Sequence, residues 1–152
     1  MTAGRTRVLA PCSGRVVPLS AVPDQVFAEE MVGPGAAIDP GTTLMTVVAP
    51  VDGTLVKLHP HAFIVLTTDG VGVLVHLGID TVRLEGRGYD VLATEGATVA
   101  TGDAIVRWDP SALEDGMSTT VPVVVMDRPP GSVSGPSEGV MVVAGDLLFV
   151  AP

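Results

Sequence analysis

The chemistry legible in this chain centres on two histidines at the ends of a predicted hairpin. His61-Ala62-Phe63-Ile64-Val65-Leu66 and Val71-Gly72-Val73-Leu74-Val75-His76 are apolar runs separated by Thr67-Thr68-Asp69-Gly70. An Asp-Gly step between two apolar runs is a strong hairpin signal. With the turn centred on Thr68-Asp69, His61 stands opposite His76; with Asp69-Gly70 at the centre, His76 faces Phe63 and His61 is its diagonal neighbour. Either register puts both imidazoles on one sheet face, with Cβ atoms about 5 Å or about 7–8 Å apart. A three-residue loop would reverse the faces unless a bulge restored them. A neutral imidazole is a good nucleophile near neutral pH. One ring can attack a phosphoryl group while its neighbour donates N–H to the phosphoryl oxygens. Zinc is the rival use, because His59-Pro60-His61 with His76 matches the ligand number of some hydrolase sites. His61 and His76 alone would hold at most an adventitious zinc. Against a hydrolase, Pro60 interrupts the His59/His61 pair and no clear general-base Glu stands nearby. The plain alternative is two half-buried strand residues.

The elements that must position these rings read as strands. Val-rich runs are punctuated by Gly, Pro and Asp, with 18 Gly and 13 Pro in 152 residues. This spacing predicts an all-β, antiparallel sandwich or barrel-like fold of short strands, in one domain spanning residues 1–152. Residues 1–7 are expected to be a flexible N-terminus. Val99-Ala100-Thr101-Gly102-Asp103-Ala104-Ile105-Val106 repeats as Val142-Val143-Ala144-Gly145-Asp146-Leu147-Leu148-Phe149, with Ile38 to Met45 a looser third copy. Residues 127–137, rich in Pro, Gly and Ser, read as a surface loop before a last strand. At most one or two helical turns are expected, the only candidate being Pro110 to Asp115, with Pro at its first turn.

The hydrophobic fraction is 47%, yet the chain has only three Phe, one Tyr and one Trp, so Val, Leu, Ile and Ala must fill the core. The net charge of −9 and the absence of any Lys/Arg cluster argue against nucleic acid and anionic membrane surfaces as partners. An acidic surface suits a basic partner face. The single Cys12 excludes an internal disulfide, and no stretch approaches membrane-spanning length. A cytoplasmic protein is the expectation. A lipoyl- or biotinyl-type carrier would need a lysine at a hairpin tip, whereas Lys57 lies inside the strand-like Thr54-Leu55-Val56-Lys57-Leu58.

Val75-His76-Leu77-Gly78-Ile79-Asp80-Thr81-Val82 closely resembles the V-H-x-G-I-D-T-V motif of the glucose-family enzyme IIA of the bacterial phosphoenolpyruvate:sugar phosphotransferase system. Four further segments match in the same order: Ala10-Pro11 with Ser13-Gly14, Val22-Pro23-Asp24-Gln25-Val26-Phe27, Ala49-Pro50-Val51-Asp52-Gly53-Thr54 and His61-Ala62-Phe63. The resemblance implies a phosphocarrier without a cofactor. It implies that His76 accepts phosphate from HPr and passes it to a cysteine of enzyme IIB or an IIBC permease, with His61 stabilising the group in transit. Asp80, Thr81 and Gly78 would support the pair, Asp80 by orienting donors or merely by capping a turn. The docking rim it implies comprises Val26, Phe27, Val32, Leu58, Phe63, Leu74 and Val82, with Asp24 beside it. Phe27 is expected to be exposed, because it follows Pro23-Asp24 in a loop. Two departures stand out. Many relatives carry a threonine before the first histidine, where this chain has Leu58-His59-Pro60-His61, leaving a backbone carbonyl or His59 to orient His61. The short segment before the first strand predicts no membrane anchor, and no attached IIB or IIC portion is expected.

Overall fold

The computed structural model describes residues 5–135 and 138–152. Its strands run β1 Thr6–Leu9, β2 Gly14–Val17, β3 Gly35–Asp39, β4 Met45–Val48, β5 Gly53–His59, β6 Ala62–Leu66 and β7 Gly72–His76. They continue with β8 Tyr89–Val91, β9 Thr98–Val99, β10 Ala104–Trp108, β11 Val121–Val125, β12 Met141–Val142 and β13 Leu147–Ala151. One antiparallel sheet of eight strands has the order β12-β2-β3-β11-β7-β6-β5-β9; β4-β10-β8 and β1-β13 form two smaller sheets. The protein is thus mostly β, and among the described residues no sheet closes into a barrel. Thr6 and Arg7 already pair with Ala151 and Val150, so β1 takes in part of the segment expected to be flexible. Residues 1–4 of that segment, and 136 and 137 of the Pro/Gly/Ser loop, lie outside the described residues.

Alternation along the central strands divides the apolar side chains between two cores. Val73 and Val75 of β7, Phe63 and Val65 of β6, and Val123 of β11 enter the main cluster with Leu55, Ile105, Trp108 and Phe149. The opposite face of the same sheet turns out Leu74, Val124 and Ala37. These pack against Leu19, Val22, Phe27 and Val32 from a segment laid across it. Helical structure is small but divided among more turns than the sequence implied. A single α-turn, α1 (Gln25–Ala28), is joined by 3-10 turns at Leu19–Ala21, Thr81–Leu84 and Pro110–Ala112. At four residues the α1 turn has no apolar period; its sequence signal is Asp24, whose Oδ1 accepts from Val26 N at 2.9 Å.

The two Gly-Asp repeats become two equivalent corners. Asp103 Oδ2 accepts from Ala100 N at 2.8 Å, and Asp146 Oδ2 accepts from Val143 N at 2.9 Å. Gly102 N donates to Ala49 O, and Gly145 N to Ala10 O, each glycine at a φ above +90°. The Ala-Pro segments complete the equivalence, since Leu9 N donates to Pro50 O and Val48 N to Pro11 O.

Candidate active site

The two imidazoles lie together, by a different route from either expected register. Strand β6 pairs with β7 as Ala62↔His76, Phe63↔Val75 and Leu66↔Gly72, one residue off both alternatives. The loop is the three-residue form: Thr67 N donates to Val71 O, and Gly70 supplies a φ of +85°. Strict alternation would then send residue 61 to the other face. It does not apply, because β6 begins at Ala62 and the pair His59↔Ala62 makes Pro60-His61 a two-residue turn. The turn releases His61 from the pleat. Its carbonyl accepts Leu77 N at 2.6 Å, and its ring meets that of His76 edge-on with centroids 5.2 Å apart.

His76 is the last residue of β7, and the backbone beyond it holds its ring. Its Nδ1 lies 2.5 Å from Gly78 O. A carbonyl can only accept, so Nδ1 carries the proton and the lone pair is on Nε2. This contact depends on Gly78, whose φ is +87° and whose absent side chain leaves room for Thr81 and for the Ser118 carbonyl. Ile79 N donates to Ser118 O at 2.8 Å, tying the turn to the segment before β11. Burial lowers the pKa of His76, while the Gly78 bond and the carboxylates of Asp24 and Asp80 act the other way. His61 is pushed down to about 4, by burial first and then by His76 and His59. Both rings are therefore neutral at pH 7, and His76 presents an unprotonated nitrogen.

The expected supporting residues separate in the structure. Thr81 is buried and its Oγ1 donates to Leu77 O at 2.9 Å. Asp80 is exposed, has a left-handed backbone and makes no side-chain cap. Asp24 caps α1 and faces the site only through its charge. Two expected rim residues are corrected. Phe27 is 7% exposed, because the Asp24-capped turn swings it inward, where its ring centroid lies 5.3 Å from that of His76. Phe63 is 1% exposed, since the observed register sends it into the main core opposite Val75. Val32, Leu58 and Leu74 are half-buried, whereas Val26 and Val82 are exposed, at 44% and 59%.

Met31, 68% exposed on the segment covering this face, was missed, as was Tyr89, whose hydroxyl also reaches Leu77 O. Neither has a spacing cue: Met31 lies in a bend after α1, and Tyr89 opens β8, in a different sheet from His76. For His61, no side-chain hydrogen bond orients the ring among the described residues. His59 stacks on it instead, with centroids 5.8 Å apart and an interplanar angle of 23°. The zinc reading loses its ligand set, because among the described residues no group of three His, Cys, Asp or Glu is arranged to hold a metal ion.

The fold and the site define a β-protein with one neutral, tautomer-fixed imidazole beside a second, the equipment of a histidine-based group-transfer protein. Residues 6–129 match the family described as "phosphoenolpyruvate-dependent sugar phosphotransferase system, EIIA 1", and the chain belongs to that family. It is 38% identical over 147 residues to the glucose-specific EIIA component of Haemophilus influenzae, covering 95% of this chain and 87% of that one. It is 40% identical over 126 residues to the glucose-specific EIICBA component of Staphylococcus carnosus, covering 81% of this chain and 18% of that longer protein. The solved glucose permease IIA from Mycoplasma capricolum superposes with a TM-score of 0.87 at 35% identity, covering 97% of this chain and 96% of that one. Among the described residues no helix is long and apolar enough to cross a membrane.

Proposed function

We propose that this chain carries a phosphoryl group on Nε2 of His76, taking it from phospho-HPr and delivering it to a cysteine of an enzyme IIB or IIBC partner. The observation that supports the reading is the contact of His76 Nδ1 with Gly78 O, which leaves Nε2 as the ring's only lone pair. In the first step the Nε2–P bond forms as the donor's P–N bond breaks; in the second a thiolate displaces His76 and the imidazole is returned neutral. His61, neutral and edge-on, donates N–H to the phosphoryl oxygens without a like charge that would suppress the nucleophile. Asp24 and Asp80 raise the proton affinity of His76 and offset part of the effect of burial. Val26, Met31 and Val82 are exposed apolar side chains that a partner can cover and leave quickly.

The test is incubation with phosphoenolpyruvate, enzyme I and HPr, followed by detection of an acid-labile phosphate adduct. Wild type should form it, and His76→Ala should not. His61→Gln should still accept phosphate but pass it on slowly to a glucose-type IIB. Phosphate uptake by His76→Ala at the wild-type rate would overturn the assignment.

A further inference from the structure

Behind the nucleophile, one backbone carbonyl collects two side-chain donors. Leu77 O accepts from Thr81 Oγ1 at 2.9 Å and from the Tyr89 hydroxyl at 2.8 Å, which occupies both of its lone pairs. The same residue's N–H donates to His61 O at 2.6 Å. Leu77 therefore joins the backbones of the two histidine turns. The Leu77–Gly78 peptide is planar and turns as a unit. Its orientation sets φ of Gly78, while the next peptide, which carries the Gly78 carbonyl that accepts His76 Nδ1–H, is held from its other side by Ile79 N donating to Ser118 O; the carbonyl is placed by both peptides together. A donor that pins Leu77 O thus acts on the His76 ring two bonds of the network away.

The two donors are not equivalent. Thr81 lies four residues along the same turn and moves with it. Tyr89 comes from β8, in a different sheet, and its ring lies flat on Trp108, with centroids 5.7 Å apart and planes 8° from parallel. Trp108 is fully buried, so Tyr89 is anchored in the main core. A phenyl ring would stack as well, and stacking does not call for the hydroxyl. Burial raises the Tyr89 pKa above its ordinary value, so the hydroxyl remains a donor throughout the range in which the histidines titrate.

We propose that Tyr89 is a positioning residue: through the Leu77 carbonyl, its hydroxyl holds the Gly78 carbonyl against His76 Nδ1–H and so keeps Nε2 as the phosphoryl-accepting nitrogen. The inference rests on the reading of His76 as the phosphoryl acceptor. Tyr89→Phe tests it, because it removes one oxygen and leaves the stacked ring. Three quantities are read: the His76 tautomer ratio by nitrogen-15 NMR, the rate of phosphate uptake from phospho-HPr, and the thermal midpoint. The expected result is a larger Nε2–H population at His76 and uptake slower by about three- to tenfold, the range one hydrogen bond carries. An unchanged tautomer ratio overturns the proposal even if the midpoint falls, since the hydroxyl would then only support the fold. An unchanged uptake rate overturns it equally. If wild type takes up no phosphate while the tautomer still shifts in Tyr89→Phe, the carrier reading fails and the positioning role stands.

Discussion

The Gly-Asp corners and the histidine turn both reverse the chain with a left-handed glycine, yet they depend on their surroundings in opposite ways. At the corners, Gly102 and Gly145 have φ of +92° and +96°, and a Cβ built on either would meet nothing within 4 Å. Each corner is closed by its own Asp, which accepts from the amide three residues earlier. At the histidine turn, Gly78 has nearly the same φ, but a Cβ there would lie 2.6 Å from Thr81 Cγ2 and 2.8 Å from Ser118 O. Asp80 and Glu85, neither of them glycine, also adopt left-handed backbones close by. A corner that satisfies itself locally can be used twice. A turn held by tertiary neighbours is the one to which the proposed phosphoryl transfer is assigned, in keeping with strain being kept for function.

Glycine-to-alanine substitution breaks the comparison most sharply. Gly78→Ala should destabilise by about 3 kcal/mol, combining the left-handed penalty with overpacking against backbone, and should displace the carbonyl that His76 requires. Gly102→Ala and Gly145→Ala carry only the left-handed penalty, about 1–2 kcal/mol, and should leave phosphate uptake intact. Urea unfolding of the three variants checks the order; a Gly78→Ala protein no less stable than the corner variants would sink the distinction. The corners should also match each other. Asp103→Ala and Asp146→Ala should each lose about 1 kcal/mol, one net hydrogen bond, and the double variant should show their sum. A strongly unequal pair would mean that the two corners are alike in geometry only.

The same contrast explains what could be read in the sequence. The corners were legible as a repeat because Gly-Asp chemistry is local: the residues that make the turn stand next to one another in the chain. Strand content was legible from Val-rich runs between breakers. The His61–His76 contact was anticipated, but from strand alternation, whereas the structure achieves it through the Pro60-His61 turn after a three-residue loop shifted the register. The side toward which Phe27 points was not legible, because one Asp cap converts an apparent loop into a helical turn. Tyr89 was invisible for a deeper reason. Its role comes from a carbonyl twelve residues away, brought within reach by the packing of two sheets.

The smallest expected effect separates the two regions by pH. His61 has its pKa lowered from 6.5 to about 4, chiefly by burial. Below pH 6.5 the unfolded chain therefore binds a proton at this residue that the folded chain refuses. The stability it contributes is complete above pH 6.5 and is lost as pH falls toward 4. His76, also lowered, acts with the same sign. Asp52, at the corner, is drawn below its ordinary 3.8 mainly by the Thr101 amide, so its contribution is lost only under that value. Urea midpoints at pH 7 and pH 5 should therefore fall further in wild type than in His61→Gln, while Asp52→Asn should show the wild-type fall across this interval. Because the His61 ring is only half-buried, the difference should stay below about 1 kcal/mol. Equal falls in wild type and His61→Gln would mean that His61 ionises as freely in the folded protein as in the unfolded chain. The neutral phosphoryl-facing donor would then be lost from the mechanism.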